Sequence, residues 1–462
     1  MDLNRELEII ELIKKEVKPA LGCTEPIAVS LAVARSCEAL REIGAEVGSV
    51  LVEVSANILK NGMGVGIPGT GMVGLHIASA LAVTCGRSEY GLEVLKDLSA
   101  EAIAAAKEMV DAGRVKVVLA ETPLKLYIKA WAYSGGPAAW DAEVAGSGAG
   151  VMAFPAHSAY TEIANNHDSI VSVVRDGEVL VGASGADASG DAASDKQAAG
   201  APAEKTTIDY KLSVKEILQF AQEASFENIE FILDSVKLNK ALADAGLNED
   251  YGLKVGKTIM AREHSSVFGS SVMTYAMAAT AAASDARMAG CTLPAMSNSG
   301  SGNQGITVTM PVIAVAEKMG VGDEQLARAL VLSHLVAIHI KGYLGKLSAL
   351  CGCVIASTGS SCGIVYLKDG NYEQVCSAIK NMIGNITGMV CDGAKVGCAL
   401  KVASGVSSSI QAAVLALDNI CISSNDGIIE DCIEKTICNL GRIGAEGMQT
   451  TDKMILDIMV CK

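Results

Sequence analysis

Six cysteines fall within about fifty residues between Leu347 and Lys401: Cys351, Cys353, Cys362, Cys376, Cys391 and Cys398. Most are set among Gly, Ser, Ala and Thr, small residues that let a backbone close around something compact. Thiolates are soft ligands suited to zinc and iron–sulfur clusters. The C-x-C at 351/353 and the C-x6-C at 391/398 are not the paired short knuckles of structural zinc, nor a ferredoxin run. Three cysteines from two segments would suit a cluster with one iron left open, and an open iron acts as a Lewis acid on substrate oxygen or sulfur. Spacing alone leaves two readings open, a cofactor site or small core thiols.

A seventh cysteine has a different setting. Cys23 lies in Leu21-Gly22-Cys23-Thr24-Glu25-Pro26, just ahead of the apolar helix IAVSLAVARSCEALREIG. Thr24 suits a cap and Pro26 the first turn. A helix N-terminus stabilises a thiolate and lowers its pKa. Cys37, Cys85, Cys376, Cys421, Cys432 and Cys438 sit in or beside apolar segments and read as buried, inert thiols, with Cys291 leaning the same way. The loop Met296 to Gly305 (MSNSGSGNQG) precedes another apolar helix. Such a loop offers N–H, hydroxyl and amide donors to a carboxylate or phosphate, or is a plain connector. His167, in ANNHDSI, is a further pocket candidate.

These residues need elements to position them. Residues 4–18 carry apolar positions at helical spacing (Leu7, Ile10, Leu12, Ile13, Val17), and Pro19 ends that helix. Residues 49–59 read as a strand by alternation. The glycine-rich stretch after it contains Gly69-x-Gly71-x-x-Gly74, but no run of βαβ units follows, so it reads as a tight loop lining a pocket rather than a dinucleotide site. A helix is expected over 91–111, strands over 114–120 and 124–132, and more strand signal at 141–145 and 158–181. Residues 182–206 are low-complexity and rich in Ala, Gly, Ser and Asp, which marks a surface loop and a domain boundary. Beyond Ser213 strand signals nearly vanish. Helices are expected at about 213–223, 226–246, 252–265, 268–288, 304–319, 323–341, 347–358, 372–389, 393–418, 427–440 and 450–460. The fold class is therefore α+β: a mixed α/β region over 1–206 with a small, largely antiparallel sheet, then a large all-helical domain over 207–462.

Composition bounds the function. Of 462 residues half are hydrophobic but only 4% aromatic, so the core is aliphatic. A net charge of −15 argues against nucleic acid, which needs a basic face, and leaves a small molecule as the default partner. The charged N-terminus, MDLNRELEIIELIKKEVKP, has no signal core. A reduced, cytoplasmic protein is expected, and there clustered cysteines are more often ligands or catalysts than disulfides. The uncharged stretch 347–367 is long enough to span a bilayer, but its Cys, Ser, Thr and Gly content reads as a buried, site-forming segment, not a membrane anchor. A homo-oligomer is compatible with the composition.

Four stretches carry a resemblance: KPALGCTEP (18–26), SNSGSGNQGI (297–306), ALCGCVIASTGSSCGIVYL (349–367) and NMIGNITGMVCDGAKVGCALK (381–401). In them the chain resembles the L-cysteine desulfidase family, formerly an uncharacterised protein family, which is related to the iron–sulfur L-serine dehydratases. The similarity runs through essentially the whole chain except the 182–206 insert. It implies a [4Fe-4S] cluster held by three cysteines, with a further cysteine as proton acceptor. The acceptor falls on Cys23. Two ligands fall on Cys391 and Cys398. The first falls on Cys353 or Cys351, and the Gly-Cys-x-x-Ala context selects Cys353. Ser297, Asn298, Ser299 and Asn303 are the expected carboxylate-binding residues. The implied reaction is β-elimination from L-cysteine to hydrogen sulfide, pyruvate and ammonia. The alternatives are an L-serine dehydratase and, from another class, a non-catalytic iron–sulfur redox sensor. The dehydratases space their last two ligands more widely than 391/398 and use a C-terminal cysteine near the cluster. Cys461, the penultimate residue, is either its counterpart or an incidental tail cysteine.

Overall fold

Alternation in SVLVEV and YIKAWAY produces strands that bury one face. In the computed structural model, which describes residues 1–20, 22–136, 157–182, 212–345 and 348–461, these are β2 and β4 of a six-stranded sheet. The strands are β1 (Pro19–Ala20), β2 (Ser49–Val54), β3 (Val115–Leu119), β4 (Tyr127–Tyr133), β5 (Ser158–Ala164), β6 (Ile170–Arg175), β7 (Glu178–Val181) and β8 (Ala295–Met296). The large sheet has the order β3-β2-β4-β5-β6-β7, with β2 and β3 parallel and the other pairs antiparallel. The small pair β1–β8 stands apart from it.

The chain divides into two compact units. The sheet unit comprises Thr24–Met63 and Met72–Thr206. Its Thr24–Arg41 helix is built from Ala, Ser and Val, small enough to lie close on the sheet. Ser36 Oγ reaches both Ala130 O (2.8 Å) and Thr161 Oγ1 (2.9 Å) of the strands beneath. On the opposite side of β4, Lys129 lies over the rings of Trp131 and Tyr160.

The other unit comprises Met1–Cys23, Gly64–Gly71 and Thr207–Lys462, and its described residues are almost wholly helical. The expected first domain, 1–206, thus gives up two pieces to the helical unit. The first is held by apolar burial: Ile9, Ile10 and Ile13 of the Leu3–Glu16 helix enter the core that contains Ile217, Phe220 and Ala221. The Gly352–Leu367 helix runs among the Gly302–Met319, Asp323–Leu344, Tyr372–Ile386 and Cys398–Leu417 helices. Its small residues permit close approach: a Cβ at Gly359 would stand 2.3 Å from Ser333 O. This segment is the one long enough by sequence to span a bilayer, and here it is packed inside the bundle. Among the described residues the one helix long and apolar enough to cross a membrane is Cys398–Leu417, more than half buried within the unit.

Several expected elements shift. The 49–59 strand stops at Val54, because Ser55 starts the Ala56–Gly62 helix. Helix over 91–111 begins only at Ala100, where Ser99 caps it. The 226–246 helix breaks into Phe226–Ile229, a 3-10 turn and Asp234–Asn248. The strand signal at 141–145 and nearly all of 182–206 lie outside the described residues.

Candidate active site

Two of the cysteines are paired by a scrap of backbone ladder. Leu350 bridges Val390 in antiparallel fashion, with Cys351 N donating to Met389 O (3.0 Å) and Cys391 N to Ala349 O (2.6 Å). Cys351 is the N-cap of the Gly352–Leu367 helix, and Cys398 is the first residue of the Cys398–Leu417 helix. Helix N-termini present unpaired N–H groups and a positive dipole end, which suit anionic sulfur. Burial pushes the Cys351 thiol well above the usual cysteine range, and the nearby sulfurs of Cys353, Cys391 and Cys398 push it further. Burial also raises Cys398, with Cys391 adding to the effect. Two cations lie close by, Lys395 and Lys401, both paired with Asp392, and Lys401 also donates to Val390 O (3.0 Å). For Lys401, burial works against the charge, yet Asp392, Cys351 and Cys398 hold its pKa above the ordinary lysine value.

Cys353 lies near Cys351 and Cys398 as well. Its thiol donates to Lys401 O (3.2 Å) and lies 3.6 Å from Ser357 Oγ. A Cβ at Gly405 would stand 2.5 Å from its sulfur, so it fills the seam between two helices. Burial pushes the thiol up to about 12.

Cys23 arrives from the other end of the chain. It is buried in a small cluster with Val65 and Met288, against which Ala394, Val396 and Cys398 pack. The Gly64–Gly71 loop reaches this cluster because Gly66 N donates to Met288 O (2.9 Å), and a Cβ at Gly66 would meet the Ala289 carbonyl carbon at 2.5 Å. Gly22, at φ +63°, makes the turn into Cys23 in a left-handed conformation that favours glycine.

The Ser297–Asn303 loop is anchored beside the same segment. Strands β1 and β8 pair here, Ser297 N and Oγ both bond Lys18 O (2.8 and 2.6 Å), and Ser299 N bonds Glu16 O (2.9 Å). Asn298 is fully buried, and its amide nitrogen donates to His334 Nδ1 (3.0 Å). Its Oδ1 accepts from Gln304 Nε2 (2.7 Å) and Ser299 Oγ (2.9 Å). Thr309 Oγ1 is spent on Gly305 O (2.6 Å), so His334 Nε2, 3.4 Å away, carries the proton and Nδ1 accepts. Burial lowers His334 to about 3, which keeps it neutral. The side chains of Ser297 and Asn298 thus spend their hydrogen bonds on holding the loop. Asn303 Oδ1 accepts from Arg287 Nη1 (3.3 Å), whose Nη2 donates to Gly22 O (2.8 Å).

The unit therefore brings Cys23, Cys351, Cys353, Cys391, Cys398 and the 297–303 loop onto its own elements. His167 lies in the turn between β5 and β6 of the sheet unit, and Cys461 is exposed at the end of the Gln449–Val460 helix. Among the described residues no three His, Cys, Asp or Glu side chains are arranged to hold a single metal ion. The thiols sense one another's charge without converging on one point. The donors near one another are all sulfur, the kind that iron–sulfur clusters take. Arg287, His334 and Lys401 are not apparent from motifs. The signal for the first was present as a lone cation in the Ala-rich run AAASDARMAG.

Comparison with known proteins bears on this constellation. The family model described as serine dehydratase alpha chain matches residues 89–457. A UPF0597 protein of Oleidesulfovibrio alaskensis is 47% identical over 453 residues, covering 98% of this chain and 97% of the relative. One of Parabacteroides distasonis is 46% identical over 462 residues and covers 100% of both, and one of Bacteroides fragilis is 45% identical over 456 residues, 98% of each.

Proposed function

The chain belongs to the serine dehydratase alpha-chain family, and from that premise we propose that it is an iron–sulfur-dependent lyase that performs β-elimination on a small amino acid, L-cysteine foremost. The observation that carries this reading is the shared cluster of Cys23 and Cys398, residues from opposite ends of the chain. The proposed ligands are Cys391, Cys398 and, from the 351/353 pair, Cys351. Cys351 lies near both Cys391 and Cys398 and caps a helix start, whereas the Cys353 thiol sits in a helix seam beside Gly405 and donates to Lys401 O. When bound, such a cluster supplies Lewis acidity at an iron that no cysteine occupies.

The chain's own residues account for the rest. Cys23, as thiolate, takes the Cα proton of the substrate. Its burial between Val65 and Met288 keeps bulk water from quenching the developing carbanion. The Cα–H electron pair forms the Cα=Cβ bond as the Cβ–S bond breaks and sulfide departs. The aminoacrylate left behind tautomerises to an imine, which water hydrolyses to pyruvate and ammonia. Asn303 and the first turn of the Gly302–Met319 helix orient the carboxylate. With L-serine the same steps release water in place of sulfide.

Anaerobic reconstitution with iron and sulfide, followed by assay of L-cysteine and L-serine, tests the proposal. Sulfide and pyruvate in equal amounts from L-cysteine are expected. Pyruvate from serine alone would shift the substrate to serine. Iron binding with no pyruvate from either would leave a sensor. Cys23→Ala should lose at least a hundredfold in turnover while keeping its iron, and full activity in that variant would sink the base assignment.

A further inference from the structure

We propose that Arg287 binds the α-carboxylate of the amino-acid substrate. The inference rests on the β-elimination reading above and adds the residue that selects for an α-amino acid. Arg287 is 6% exposed, on a buried face of the Val272–Met288 helix. Among the described residues no Asp or Glu carboxylate pairs with it. A guanidinium taken out of water without a counter-ion is costly, and a bound anion would offset that cost.

The surroundings say which anion. Arginine carries five N–H donors. One is spent on Gly22 O and one on Asn303 Oδ1, while Nε has no acceptor among the described residues. The two bonds hold the guanidinium between the residue that precedes Cys23 and the first turn of the Gly302–Met319 helix. That helix start is shaped around it, since a Cβ at Gly302 would stand 2.2 Å from Nε and 2.6 Å from Cζ. The remaining donors form the fork that matches a carboxylate. A carboxylate is one bond from the Cα that loses its proton, and Gly22 is one residue from the proposed base. A carboxylate held at Arg287 therefore delivers Cα to the Cys23 end of the site.

The test uses the full-length, iron-reconstituted protein and L-alanine, which has the carboxylate and ammonium but no leaving group. Calorimetric titration is expected to show binding to wild type, a loss of at least tenfold in Arg287→Gln, and an intermediate loss in Arg287→Lys. Iron per chain should stay the same, and KM for the reacting amino acid should rise in parallel. If Arg287→Gln does not fold, Gly302→Ala and Arg287→Lys carry the test, with retained circular dichroism and iron as the condition. Unchanged L-alanine affinity in the folded variants overturns the proposal, as does absence of L-alanine binding by wild type. Slower alkylation of Cys23 in Arg287→Gln with L-alanine binding intact also overturns it, because the arginine then serves the thiolate. Arg287-dependent L-alanine binding with no pyruvate from any amino acid would refute the elimination reading and leave this one standing.

Discussion

Cys351 and Cys353 are two positions apart, both buried and both near Cys398, but differ in what else they touch. The first caps a helix within reach of Cys391 and Cys398, and the second hydrogen-bonds a carbonyl in a helix seam. Cys351→Ser should therefore lose most of the reconstituted iron. Cys353→Ala should keep it and cost about 1 kcal/mol of stability for the small void. Iron content and urea midpoints of the two variants check this, and the reverse pattern would move the ligand to Cys353. His334 makes a prediction about pH. Its folded pKa lies near 3 against 6.5 unfolded, so the unfolded chain takes up a proton that the folded chain refuses. The contribution is complete above pH 6.5 and is lost as pH falls from there towards 3. Between pH 6.5 and 5.5 wild type should lose about 1 kcal/mol more than His334→Gln in urea unfolding. Equal slopes would show that His334 is not held neutral.

Among the elements, the Gly352–Leu367 helix is central because it has so little side chain. Gly359 lies against the Ser333 carbonyl, and Gly405 of the facing helix lies against Ser357 and Cys353. Backbone cannot yield as a flexible side chain can. Gly359→Ala is expected to destabilise the protein by about 2 kcal/mol or more, read as a lower thermal midpoint. An unchanged midpoint would mean the helices separate freely. The Gly64–Gly71 loop follows similar logic at smaller scale. Its glycine spacing looks like a nucleotide motif, but its contacts with Met288–Gly290 make it a lining for Cys23.

For the whole molecule, the proposed site draws on residues 23, 64–71, 287–303, 351 and 391–398 of a single discontinuous unit. Anything bound there ties together segments that unfolding would scatter. Removing iron with a chelator under anaerobic conditions should lower the melting temperature by about 5 °C or more, and re-adding iron and sulfide should restore it. A melting curve indifferent to iron would argue against a cluster bridging these segments.

Much of this was legible without coordinates, because it depends on local pattern. Most of the periodic apolar runs after Ser213 mark helices that the structure retains with shifted ends, those over 226–246 and 252–265 being broken into shorter pieces, and SNSGSGNQG marks a loop opening one of them. Cys23 stood out by its place just ahead of a helix, whereas Cys391 and Cys398 were two of six clustered cysteines that only the family resemblance sorted into ligands. Other features depended on packing between distant segments. Which of Cys351 and Cys353 lies near both Cys391 and Cys398 depends on how the Gly352–Leu367 helix is rotated against Cys398–Leu417. Asn298 was expected among the carboxylate-binding residues, and its side chain is bonded to His334 in a loop that β1 and β8 pair to hold. Arg287 has no motif at all. Its meaning comes from Gly22, Asn303 and Gly302, which only tertiary structure brings around one guanidinium.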